Sequence, residues 1–325
     1  MTKSIPLVDM RDFNAGGKRR QKFVQGFGDA LRFFGFVRLK GHGVPDELIE
    51  SVYDALRDLF SHSDEVLKAY HDPALHGATG YTPYGKETGV GYKHGDAKRF
   101  WHVCRESEQA NVWPAPKLAP SLKGSAKLLY RELDTVYIAL AKALEEYLGL
   151  EPGSVTGLVD GENNSTLRLL HYPPLPKSKA KRNHKGKQSL RRAPRSQVVR
   201  AGAHRDINWL TLLPAATASG LQVRTVKKRW LAIKAKKGEI IVNSGIMLER
   251  FTNGFITATE HQVVNPGGSI PNTDRFSLPF FGHPRRLAVL RVPKQFRGKG
   301  WPRAPRAITA GQALAEVLKA INLAA

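Results

Sequence analysis

Apolar and polar positions along the chain switch between two periods. Ile5-Pro6-Leu7-Val8-Asp9 is a short apolar run suited to a first strand. Residues from Lys18 to Phe33 space their apolar side chains for a helix, and Gly35-Phe36-Val37-Arg38-Leu39 reads as strand again. His42-Gly43-Val44-Pro45 is a turn, with Pro45 at the start of a helix running to about Phe60. Ser61 to Tyr70 predicts a further helix, and the Gly/Tyr-rich stretch Gly77–Gly95 predicts loop with at most short strands. Between Ser121 and Leu148 the positions Leu129, Leu133, Val136, Leu140, Leu144 and Leu148 keep one helical stripe, with Gly149 as its C-terminal cap.

From Thr166 onward the pattern breaks into short runs separated by Gly, Pro and Asn. Thr166–Leu170, Leu210–Leu213, Leu221–Val223, Ile240–Val242, Thr257–Val264 and Arg275–Phe281 all read as strands. Asn253-Gly254 is a hairpin-type turn, and a last helix over about Ala310–Ile321 has Thr309 as its N-cap. Many short strands predict a β sandwich or barrel of jelly-roll type with helical flanks. The expected layout is an α/β region over 1–118, a long helix over 119–150 and a β-rich catalytic region over 151–325, forming one structural unit.

Composition narrows the class. With 41% hydrophobic and 24% charged residues in 325, the chain is an ordinary globular protein. The single cysteine, Cys104, excludes an intramolecular disulfide and multi-Cys metal sites. Without a secretory h-region or a membrane-length apolar run, a cytoplasmic location is expected. The extreme value is the formal charge of +23, which first suggests a polyanion partner. Ten basic residues fall between Lys177 and Arg200, and no acid occurs between Glu162 and Asp206. A second acid-free stretch runs from Arg275 to Ala315. The first run carries no aromatics to stack on bases, so it reads as a solvated loop whose polyanion binding is the weaker alternative.

The chemistry sits in a pattern that occurs three times. His62-Ser63-Asp64 falls in a helix start, where positions i and i+2 diverge by about 200°. His94-Gly95-Asp96 lies in a glycine-rich loop. His204-Arg205-Asp206 leads into the strand-like Ile207–Leu213, where i and i+2 share a face. Two neutral imidazoles and one carboxylate on one face of a metal is the non-haem iron(II) oxygenase arrangement. His261, in the β-like run after Asn253-Gly254, is the candidate second imidazole. Arg275-Phe276-Ser277 places a guanidinium and a hydroxyl at i and i+2, suited to holding a carboxylate. His204-Arg205-Asp206 also spells the kinase catalytic tripeptide, but Thr211 stands where a kinase needs its metal-binding Asn.

These residues resemble the iron(II)- and 2-oxoglutarate-dependent oxygenases of the isopenicillin N synthase-like family. The similar pieces are Ile5–Asp9, Phe33-Phe34-Gly35-Phe36, His42–Pro45, Lys98–His102, His171-Tyr172-Pro173-Pro174, Ala203–Asp206, Gly220–Val223, Thr252–Gly254, His261–Asn265 and Arg275–Ser277. The resemblance implies a double-stranded β-helix, with Fe(II) on His204, Asp206 and His261. It implies 2-oxoglutarate held through its distal carboxylate by Arg275 and Ser277, with Tyr172 assisting. Oxidative decarboxylation with O2 would yield succinate and CO2 and hydroxylate an unactivated C–H bond of a small molecule. Three positions depart from the family: Leu170 replaces an asparagine, Arg205 replaces an acid, and Gln262 replaces an arginine. The basic run from about 177 to 197 looks like an insertion. On sequence alone two other readings stay open: an iron oxidase of the same fold that does not use 2-oxoglutarate, and a polyanion-binding protein with a vestigial metal site.

His102, Trp101 and Tyr92 are divided between substrate pocket and core. His42 is expected to be structural, His171 a strand residue beside the site, Cys104 a small buried apolar side chain, and Trp209 and Phe280 core.

Overall fold

The N-terminal third builds the sheet edge and the helices that cover it. β1 (Leu7–Asp9) runs into α1 (Met10–Asn14), whose N-cap Asp9 accepts the Arg11 backbone N–H. α2 (Gly17–Phe34) ends where Gly35 turns left-handed at φ +68°, and β2 (Phe36–Lys40) follows. A side chain at Gly35 would also strike Thr259, so this turn needs glycine on two counts. α3 (Asp46–Ser61) buries Ile49, Val52, Tyr53, Leu56 and Leu59, one stripe at helical spacing. α4 (Asp64–Lys68), β3 (Gly80–Thr82) and β4 (Arg99–Cys104) lead to α5 (Leu122–Tyr147), whose buried stripe is the predicted one. The short α6 (Thr156–Val159) closes this part. The computed structural model describes residues 4–75, 78–87, 95–105, 111–161, 163–175, 200–265, 267 and 271–320.

The remaining strands are β5 (Thr166–Tyr172), β6 (Ala201–His204), β7 (Leu210–Pro214), β8 (Leu221–Arg224), β9 (Trp230–Ala232) and β10 (Glu239–Ser244). After α7 (Ile246–Phe251) come β11 (His261–Val263), β12 (Arg275–Ser277), β13 (Phe280–Gly282), β14 (Val289–Leu290) and β15 (Ile308–Thr309). α8 (Ala310–Ala320) ends the described chain. Thr309 caps it as predicted: its hydroxyl accepts the Gln312 N–H, and Gln312 reaches back to the Thr309 N–H.

Among the described residues the large sheet has the order β1-β2-β10-β7-β13-β5-β4-β3, with β12 also on β5. The small sheet has the order β6-β11-β8-β9. The large sheet packs its helical face against α2, α3 and α5, burying Leu39, Trp101, Leu169, Leu212 and Phe280. A second apolar cluster includes Phe36, Phe100, Leu170, Tyr172, Val223, Ile241 and Val263, drawn from both sheets. This is the double-stranded β-helix expected from the sequence, with the site residues in the space between its sheets.

Several expectations need correction. Ser61 and His62 end α3, and the next helix is only Asp64–Lys68. Thr257–Val264 pairs only over His261–Val263, and Arg275–Phe281 is two strands. Pro279 interrupts it, and its carbonyl accepts the Arg168 N–H. Asn253 and Gly254 do take positive φ, but between α7 and a loop instead of in a β-hairpin. The strand β4 and the small β9 were not read from the sequence. Among the described residues no helix is long and apolar enough to cross a membrane.

Candidate metal centre and carboxylate pocket

His204 is the last residue of β6, and His261 is the first of β11. The two strands are antiparallel with His204 opposite His261, which sets the ring centroids 4.4 Å apart. Asp206 lies beyond the end of β6, in the connection to β7. Asp206 thus comes near both histidines from a connection and not from a shared strand face, since the Ile207–Leu213 run is strand only from Leu210. The connection is held by the Ile246 N–H, which donates to the Asp206 carbonyl at 2.8 Å.

Each ligand candidate has one free atom and one restrained atom. His204 Nδ1 meets the Gly202 carbonyl at 2.7 Å, and His261 Nδ1 meets the Thr259 carbonyl at 3.1 Å. A carbonyl only accepts, so both Nδ1 atoms carry a proton, and in the neutral ring each Nε2 presents its lone pair toward Asp206. The Asp206 Oδ2 accepts the Thr211 hydroxyl at 2.6 Å and the Asn243 amide at 2.8 Å. Its Oδ1 faces both imidazoles, 3.5 Å from His261 Nε2 and 3.7 Å from His204 Nε2. One ligand atom from each residue falls within 4.8 Å of the others. Carbonyl, hydroxyl and amide partners of this kind orient metal ligands and tune their basicity.

Electrostatics favour the ligating forms of His204 and Asp206, while His261 shares a proton-favouring contact with Asp206 that a bound cation would replace. Burial together with the neighbouring His261 pushes His204 down to about 4, so it is neutral near pH 7. Burial opposes ionisation of Asp206, but the two imidazoles and the Thr211 hydroxyl outweigh it and hold the carboxyl well below its usual range. For His261, attraction to Asp206 overcomes burial and raises the value. Phe36 packs edge-on against the His261 ring at 5.5 Å, shielding that side of the centre.

The second group is on β12. Arg275 lies opposite Tyr172, and Ser277 opposite Leu170, in the register with β5. All four are buried. The Arg275 Nε donates to the Ala218 carbonyl at 3.1 Å, and its guanidinium carbon sits 4.9 Å from the Tyr172 ring centre. Its Nη1 is buried with no acceptor among the described residues. A buried donor left over on a planar fork, with Ser277 two residues along, fits a carboxylate ligand. Leu170 offers the pocket no polar atom.

A third feature was not foreseen. Lys98 pairs with Glu87 at 2.6 Å and Asp96 at 2.8 Å, and Arg168 contacts Glu87 through both terminal nitrogens. Arg168 Nε also donates to His102 Nε2 at 2.6 Å. Asp96 accepts the N–H of Gly202, the residue whose carbonyl orients His204. This buried charged wall thus adjoins the metal centre. Sequence spacing gave no hint of it, because its members come from β4, β5 and a loop.

The other singled-out residues are structural. His62 Nε2 contacts the Leu118 carbonyl, and Asp64 accepts from Tyr81 and Arg99, so that His-x-Asp copy is part of the helix packing. His42 accepts the Val44 N–H within its turn. His171 faces away from the centre, stacked between Phe60 and Phe276, with Arg99 and Asp274 on its two nitrogens. Burial pushes it down to about 4. Trp101, Trp209 and Phe280 are fully buried core. Cys104 is only half-buried, and its thiol donates to the Ala78 carbonyl, so it is more than an apolar filler. Arg205 pairs with Glu249, and Gln262 donates to Gln222, both off the centre. His94 and Tyr92 lie outside the described residues, as does the basic run over 177–199. Arg200, counted as the end of that solvated run, is instead completely buried.

Comparison with known proteins agrees with this geometry. Residues 5–116 match the N-terminal model of non-haem dioxygenases in morphine synthesis, and residues 163–284 match the 2OG-Fe(II) oxygenase superfamily model. A 2-oxoglutarate-dependent dioxygenase of Aspergillus rugulosus is 26% identical over 306 residues, covering 87% of this chain and 88% of the relative. The crystal structure of a 2OG-Fe(II) oxygenase family protein from Caulobacter crescentus superposes with a TM-score of 0.82 at 33% identity, covering 98% of this chain and 100% of that one. A full-length Neurospora crassa protein in complex with alpha-KG and thymine shares the fold, with a TM-score of 0.81 at 24% identity over 97% and 96% of the two chains. The chain therefore belongs to the 2OG-Fe(II) oxygenase superfamily and is an iron- and 2-oxoglutarate-dependent dioxygenase.

Proposed function

We propose that the chain hydroxylates an unactivated C–H bond of a small molecule, with Fe(II) on His204, Asp206 and His261. The observation that carries this reading is the convergence of two Nε2 lone pairs and the free Asp206 Oδ1, each opposite an atom already engaged elsewhere. Three protein ligands on one face leave positions for the co-substrate and O2. Iron bound there, with 2-oxoglutarate and O2, supplies oxidative decarboxylation to succinate and CO2 and the oxidising power for C–H hydroxylation.

The protein's own share is placement. Arg275 and Ser277 would take the distal carboxylate of 2-oxoglutarate, and Tyr172 packs beside that guanidinium. The unpaired Arg275 Nη1 favours a 2-oxoglutarate-using enzyme over a co-substrate-independent oxidase of the same fold. The Lys98–Glu87–Arg168–His102 wall supports a substrate with polar groups, and the Neurospora crassa neighbour binds one such molecule, thymine. Succinate release with Fe(II), 2-oxoglutarate and O2, across a library of amino acids, heterocycles and peptides, tests the reading. Asp206→Ala is expected to abolish iron-dependent succinate formation, and turnover at the wild-type rate would refute the ligand assignment.

A further inference from the structure

We propose that Arg200 is the second guanidinium of the carboxylate pocket, so that a dicarboxylate co-substrate is held at its distal end by a clamp of two arginines, Arg200 and Arg275. This rests on the assignment of Arg275 to that carboxylate. Arg200 stands just before β6, four residues ahead of His204. Its backbone N–H donates to the Asn265 side-chain oxygen at 2.8 Å. Its Nη2 donates to the carbonyl of Thr273 at 2.6 Å, and Thr273 lies two residues before Arg275. The Arg200 guanidinium is therefore tied to the segment that leads into β12, where Arg275 is the first residue.

The side chain is sealed from solvent, with 0% exposure. Only one of its three guanidinium nitrogens has a partner: Nε and Nη1 are buried with no acceptor among the described residues, as is Arg275 Nη1. No described carboxylate hydrogen-bonds to either guanidinium. The nearby Asp274 is engaged by His171 Nε2 at 2.6 Å. Burial and the charge of Arg275 both disfavour protonated Arg200, which is the cost of placing two cations together. A carboxylate relieves both problems, because its two oxygens can accept from unpartnered nitrogens of both guanidiniums and its charge offsets the repulsion. A purely structural Arg200 would be expected to have its remaining buried nitrogens paired within the protein.

The test uses the full chain freed of metal, with glutarate as probe, because glutarate has both carboxylates and lacks the keto group that chelates iron. Calorimetry and thermal unfolding are run on wild type, Arg200→Met, Arg200→Lys and Arg275→Met. Glutarate is expected to stabilise the wild type, and Arg200→Met to weaken its binding by about 10- to 100-fold, the range for charged hydrogen bonds. The unliganded Arg200→Met protein should melt no lower than wild type, because a buried like charge has been removed. Arg200→Lys keeps the charge without the fork, so it should fold and still bind glutarate about tenfold more weakly. Unchanged glutarate affinity in Arg200→Lys or Arg200→Met overturns the clamp, as does inorganic phosphate stabilising the wild type as strongly as glutarate. If Arg275→Met also leaves glutarate affinity unchanged, the carboxylate-pocket reading fails with it. A loss confined to Arg275→Met removes Arg200 alone.

Discussion

The metal centre and the carboxylate pocket share one barrel but are built on opposite principles. At the centre, every atom not aimed at the metal is already engaged: two Nδ1 atoms on backbone carbonyls and one carboxylate oxygen on Thr211 and Asn243. In the pocket, two buried guanidiniums keep three donors without acceptors among the described residues. The buried Asp206 carboxylate is compensated by Thr211, Asn243 and the two imidazoles, so the centre can be fully preorganised before metal arrives. Buried cations are expensive, so the pocket depends on its ligand for compensation. The lesson is that preorganisation suits lone pairs, while an anion site can carry its unsatisfied groups until the anion supplies their partners.

Substitutions on the two sides should separate cleanly. The largest difference is expected from Arg275→Met, which should raise the KM for 2-oxoglutarate by about 100-fold, the worth of losing a charged multi-donor contact. Fe(II) affinity, read by anaerobic titration, should stay within about twofold, since Arg275 contacts no metal-centre group. A parallel loss of iron affinity would mean that the two sites are one network. Smaller and opposite in kind are Thr211→Val and Asn243→Leu. Each removes one restraint on the Asp206 Oδ2 and should weaken Fe(II) binding by about tenfold, as loss of a partner to a metal ligand typically does. The KM for 2-oxoglutarate should change little. Unaltered iron affinity in both variants would show that the outer restraints on Asp206 are dispensable.

How far the sequence could lead depends on the range of each interaction. The long helix and its stripe were legible because a helix advertises burial every three or four residues. His204, Asp206 and His261 were legible through residue type and a candidate strand, although Asp206 turned out to sit in a connection. Arg275 and Ser277 were legible as an i, i+2 pair. Thr211 and Asn243 were not, because they meet Asp206 only through the cross-strand pairing of β7 and β10. The orienting partners of both histidines are backbone carbonyls, which no side-chain pattern announces. Arg200 was hidden for a different reason. It follows a run of surface-type cations, and charge alone cannot distinguish the last exposed residue from the first buried one. The strand β4 was obscured similarly, since Lys98 and His102 carry polarity to the barrel side, where an apolar alternation was expected.

Arg205 gives the mildest test and the sharpest control on adjacency. It stands between two candidate ligands in sequence, at a position where family resemblance expects an acid, so a sequence argument would give it weight. Its guanidinium instead turns outward to Glu249 at 2.9 Å, and the two side chains are 45% and 26% exposed. Exposed ion pairs contribute about 0–1 kcal/mol. The Glu249 carboxylate keeps a second role without Arg205, since it also accepts the Ala258 N–H at 2.7 Å. Arg205→Ala should therefore change the rate of succinate formation by less than about twofold and thermal stability by less than about 1 kcal/mol. A large fall in iron affinity in this variant would show that the outward pair holds the His204–Asp206 connection in shape. The centre would then share the pocket's dependence on an unreplaced charge, and the contrast between the two sites would narrow.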